Sequence, residues 1–92
     1  SEGIMIVGIS ELESETILLY PNPMIDRAYL EFEDSSTRMI RLLDVMGREV
    51  RIWENVNSQK IEIRREDLSI GNYTLVISDK NNLTSIKIII SQ

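Results

Sequence analysis

Cysteine and histidine are both absent from this chain of 92 residues. Without thiols no disulfide can brace the fold, and no thiolate can ligate a metal or attack a substrate. Without imidazole the usual general base near neutral pH and the commonest metal ligand are missing. Together the two absences weigh against an enzyme. No basic stripe is present to neutralise phosphates, which argues against nucleic acid as a partner. No apolar run is long enough to span a bilayer as a helix. No segment repeats with the 3.6-residue helical period, so helical content should be near zero. No Gly-rich phosphate loop occurs, and nothing in the composition calls for a cofactor.

What is present fits one small domain. Hydrophobic residues make up 42% and charged residues 27%, a globular balance rather than a disordered one. The net charge of −5 is unevenly placed. Residues 1–15 hold Glu2, Glu11, Glu13 and Glu15 without Lys or Arg, so −4 of the −5 lies there and the remainder is nearly neutral. We read residues 1–16 as an acidic linker or the end of a preceding region, and residues 17–92 as the folded domain. Within the first part, Ile4 to Ile9 is the one apolar run and could form a short strand. The chain starts without Met, which reads as a piece of a longer protein.

Three turn signals divide the rest. The two prolines of Tyr20-Pro21-Asn22-Pro23 fix φ, remove ladder donors and hold their predecessors extended, giving a rigid corner after the short strand Ile17 to Tyr20. Asp44-Val45-Met46-Gly47 reads as a hairpin: Asp44 can bond the backbone two residues on, and Gly47 can take positive φ. Leu68-x-x-Gly71-x-Tyr73 has the spacing of a tyrosine corner, where a hydroxyl reaches back to an upstream backbone group.

Between the turns the pattern alternates. Ala28, Leu30 and Phe32 should face inward, and Tyr29, Glu31 and Glu33 outward. A strand from Arg38 to Val45 is apolar on both faces, as expected of a central or doubly covered strand. The return strand should carry Val50 and Ile52 inward. Trp53 has the opposite parity, so either a bulge rotates it into the core or it sits on the outer face. Ile61 and Ile63 mark another strand. Tyr73, Leu75 and Ile77 line the next, and Leu83 to Ser91 forms the last. The expected fold is all-β: a small antiparallel Ig-like, Greek-key sandwich of about seven strands. The apolar last strand should lie at a sheet edge, where it could pair weakly with a second copy. Carboxylate pairs such as Glu31 with Glu33 read as solvated surface. Asp79-x-Asn81 lacks the glycine and bidentate acid of an EF-hand, and no metal site is expected.

Four segments, in this order, resemble the type A C-terminal sorting domains of the type IX secretion system. They are Leu19-Tyr20-Pro21-Asn22-Pro23, Asp44-Val45-Met46-Gly47-Arg48-Glu49-Val50, Leu68-Ser69-Ile70-Gly71-Asn72-Tyr73-Thr74-Leu75 and Lys87-Ile88-Ile89-Ile90. The likeness runs from about Ile17 to the end. The family often ends in a basic residue; this chain ends Ser91-Gln92. The resemblance implies a secretion and cell-surface sorting signal in a Gram-negative bacterium. It implies passage through the periplasm, recognition by an outer-membrane translocon, removal by a surface sortase, and a cargo domain on the N-terminal side. It also implies recognition residues at Gly71, Lys87, Ile88, Ile89 and Ile90, and a cleavage zone near Ser10 to Thr16. Pro21, Asn22, Pro23, Asp44, Gly47, Leu68, Gly71 and Tyr73 would be its structural signature. A competing reading is a fibronectin-like or carbohydrate-binding adhesive module, which would need Trp53 and Tyr29 to line one open groove.

Overall fold

The computed structural model describes residues 16–80 and 82–92. The Ile4–Ile9 run, the Glu11–Glu15 linker and nearly all of the expected cleavage zone lie outside the described residues.

Seven strands follow in order: β1 (Leu18–Tyr20), β2 (Arg27–Glu31), β3 (Arg38–Leu43), β4 (Glu49–Val56), β5 (Lys60–Arg64), β6 (Gly71–Ser78) and β7 (Leu83–Ile90). They form two antiparallel sheets. One has the order β1-β2-β5 and the other β4-β3-β6-β7. The chain changes sheet after β2, after β4 and after β5, which is why strands adjacent in sequence are not always neighbours. Two-residue alternation puts one apolar row of each sheet in the space between. Leu19, Ala28, Leu30 and Ile63 come from the first sheet. Ile40, Leu42, Leu75, Ile77, Ile86, Ile88 and Ile90 come from the second. Burial of each Leu or Ile contributes about 1.5–3 kcal/mol against the entropy of ordering the chain.

The alternation of β2 holds: Ala28, Leu30 and Phe32 are buried, and Tyr29 and Glu31 lie on the other face. β3 is central, between β4 and β6. Its inner residues Ile40 and Leu42 are buried, whereas on its outer face Arg41 and Leu43 are half-buried and Met39 is exposed. It also stops at Leu43, leaving Val45 in the turn and 72% exposed.

The expectation for β4 is overturned. Val50 and Ile52 are 39% and 41% exposed rather than inward. Leu42 pairs with Arg51 and Leu43 with Glu49, so Val50 is an extra residue on the β4 side. That bulge shifts the phase of everything after it. Arg51 and Trp53 therefore take the inward positions, and Trp53 packs half-buried against the core. A second register shift lies between the Arg38 and Ile40 pairings, where Asn55 has φ of 54°.

Arg51 fastens this edge to the opposite sheet. Its guanidinium donates to the carbonyls of Arg64 and Arg65, the latter at 2.9 Å, and lies 3.4 Å from the Asp67 carboxylate.

Candidate recognition surface

The proline corner and the terminal strand meet. Asn22 is half-buried, and its side-chain amide spans two peptide groups of β7. Nδ2 donates to the Lys87 carbonyl at 2.9 Å, and Oδ1 accepts from the Ile89 amide at 2.9 Å. Two residues on, the Met24 amide donates to the Ile89 carbonyl at 2.8 Å, and the Ser91 amide donates to the Met24 carbonyl at 2.9 Å. Met24 thus makes a parallel bridge with Ile90, and its side chain is fully buried. Both X–Pro bonds, at Pro21 and Pro23, are cis. Prolines can flank this edge because no ladder donor is asked of them.

The candidate residues sort into two groups. Ile88 and Ile90 are each 1% exposed and belong to the core. Lys87 is exposed and Ile89 half-buried, both on the outer face of the four-stranded sheet. Gly71 opens β6 opposite Ile90, with φ of 155°. No atom would meet an added Cβ within 4 Å. The demand for glycine there is conformational rather than spatial.

Two residues beyond Gly71, the Tyr73 hydroxyl donates to the Ser69 carbonyl at 2.7 Å. This closes the loop that carries the chain from β5 to β6. Leu68, partly buried, packs against the core from the same loop. The order of features is turn, glycine, tyrosine, then strand, and it delivers β6 in register with β7.

At the β3–β4 hairpin, Gly47 has φ of 84° and its amide donates to the Asp44 carbonyl at 2.9 Å. The Asp44 carboxylate accepts from the amides of Met46 and Arg48 and from the Arg48 guanidinium. These donors, the Arg48 amide first, hold the Asp44 carboxyl below the usual carboxylate range. A carboxyl depressed on folding stabilises the fold above its unfolded pKa, and the contribution is lost as pH falls through the folded value. Asp34, held low chiefly by the Ser36 amide, acts in the same direction. Resistance to urea should therefore fall below about pH 4. Asp44→Asn should reduce that fall; an unchanged acid profile would contradict the assignment.

Trp53 and Tyr29 do not share a groove. Trp53 turns toward the core from β4, whereas Tyr29 lies on the outer face of β2, with Lys60 4.9 Å from its ring and the Tyr20 ring 5.9 Å away. Among the described residues no cluster of three Asp or Glu could hold a metal ion.

Residues 18–91 match the family model described as the secretion system C-terminal sorting domain. The chain belongs to that family. It is thus a type IX sorting domain, a C-terminal signal for export to the cell surface or secretion. Sorting domains are not an enzyme family. The match includes both prolines, the Asp44 hairpin, the Tyr73 corner and all of β7. No curated protein matches the chain. The contact between Asn22 and β7 joins the start of the matched region to its end. Sequence inspection singled out both segments but gave no signal that they touch.

Proposed function

We propose that the folded sandwich is the export signal read by the outer-membrane type IX translocon. The precursor crosses the inner membrane to the periplasm, where this domain folds. The translocon then binds it, and a surface sortase removes it and joins the cargo on its N-terminal side to a surface lipopolysaccharide. The observation that supports this reading is the family match across both sheets, ending on a strand whose outer edge, from Leu83 to the Lys87 amide, pairs with no described strand. Lys87, Ile89 and the backbone of β7 are the groups a partner would meet. Gly71, Ile88 and Ile90 act in recognition through the fold, by placing that strand. A tag of this kind needs a compact body and an accessible junction, and residues 1–16, with their acidic side chains, supply the junction.

The test is a fusion of the 92-residue chain behind a periplasmically targeted fluorescent reporter, expressed in a bacterium that has this secretion system. The reporter should reach the cell surface or medium. Retention in the periplasm, while an established sorting domain exports the same reporter, would overturn the proposal.

A further inference from the structure

β7 is the last strand of its sheet, so half of its peptide groups point away from β6. The amide and carbonyl of Ile89 are bonded to Asn22 and Met24, which shows that Ile89 has the outward parity. Leu83, Ser85 and Lys87 share that parity, two residues apart. The outer edge is therefore in two states. From Leu83 to the Lys87 amide, no described strand pairs with it. From the Lys87 carbonyl to the Ser91 amide, it is covered by Asn22 and Met24.

The cover has two unequal parts. Met24 is buried completely and anchors it. Asn22 is half-buried and holds by its side chain alone. Its amide presents a donor and an acceptor on the same side, to the Lys87 carbonyl and the Ile89 amide, as the N–H and C=O of one residue in a parallel strand would. We propose that Asn22 is a displaceable surrogate for one residue of a partner strand, and that the partner is an extended strand that pairs with β7 after Asn22 swings away. Opening Asn22 while Met24 stays seated frees the Lys87 carbonyl and the Ile89 amide. Among the described residues the edge left unpaired then runs from Leu83 to Ile89, roughly 20 Å at strand spacing, room for a partner strand of several residues. The Met24–Ile90 bridge is parallel, so a partner continuing the line of the cover runs parallel to β7.

This inference rests on the sorting-signal reading, with the partner strand belonging to the export machinery. It has an unusual consequence. A binder that needs a minor open state has its affinity reduced by the fraction open. Removing the Asn22 amide should raise that fraction, so Asn22→Ala should bind more tightly. Loss of two hydrogen bonds should lower the half-saturating concentration about tenfold. A directly read Asn22 would produce the opposite sign.

The experiment measures binding of the 92-residue protein to opened outer-membrane vesicles that expose their periplasmic face, from a bacterium with the type IX system, with vesicles prepared in the same way from a bacterium lacking it as control. Wild type, Asn22→Ala and Asn22→Asp are compared. Asn22→Asp keeps the acceptor for the Ile89 amide and loses the donor, so its effect should be intermediate. Amide hydrogen exchange reports the lock itself. In Asn22→Ala the Ile89 amide should exchange at least about tenfold faster, while the Ile88 and Ile90 amides, which face β6, keep their protection. Tighter vesicle binding with that selective exchange supports the proposal. Unchanged or weaker binding overturns it, as does acceleration of all three amides together. Dimerisation of Asn22→Ala in sedimentation with vesicle binding unchanged makes a second copy the occupant, and also overturns it. Wild type binding equally to both vesicle types sinks the sorting-signal reading instead.

Discussion

Ile88→Ala should lower the free energy of unfolding by about 2–5 kcal/mol. Ile88 is 1% exposed and sits on β7 opposite Tyr73. Truncation removes three carbons from a core closed on both sides by sheet, so the surroundings can collapse only partly. A small domain has about 5–15 kcal/mol in total, and this loss is a large share of it. Lys87, the preceding residue, points outward, and Lys87→Ala should change stability by no more than about 0.5 kcal/mol. Urea denaturation of both variants gives the comparison directly. Adjacent residues in one motif thus separate into a folding role and a surface role. An export defect in Ile88→Ala should come with partial unfolding, and Ile88→Val, costing about 0.5–1.5 kcal/mol, should recover most of it. Equal stability of Ile88→Ala and Lys87→Ala would refute the inward placement of Ile88.

Arg38→Ala should be nearly as damaging, at about 2–4 kcal/mol. Arg38 is the one charged residue that the described fold buries, at 3% exposure. Its guanidinium lies 3.9 Å from the centre of the Phe32 ring. It also donates to the carbonyls of Asp34 and Ser36 and to the Asp34 carboxylate, at 3.2, 2.9 and 2.9 Å. One side chain therefore satisfies the turn that carries the chain from the first sheet to the second. Loss of that cation costs the packing on Phe32 and leaves turn carbonyls without their donor. Arg38→Lys should recover less than half, because an ammonium cannot reach several acceptors while lying flat on a ring. Thermal melting of the two variants checks the order. A fully stable Arg38→Lys would mean that charge alone matters there.

These two residues also show how far the sequence could be read. Ile88 fell in an apolar run that was read as a whole for recognition, and its burial shows only once β7 is paired with β6, where it lies opposite Tyr73. The turns were legible because Pro, Gly and Asp enforce local backbone geometry, as at Asp44 and Gly47. Arg38 was not legible. A charged residue at a strand start reads as surface, and only the fold shows Phe32 beneath it. Val50 and Ile52 were misplaced for a related reason. Their alternation was real, but the extra residue in β4 is accommodated without a glycine to mark it, and every later position changed side. The Asn22–Ile89 bond joins residues 67 apart. Such contacts follow from topology, and no local pattern encodes them.

The bulges in β4 have one more consequence. Among the described residues no strand pairs with the outer edge of β4, which carries the exposed Val50 and Ile52. A straight border of that composition would invite neighbouring molecules to stack into fibrils. Two interruptions within eight residues twist it out of the flat geometry that cross-β growth requires. That border is therefore a poor template for edge-to-edge growth between copies.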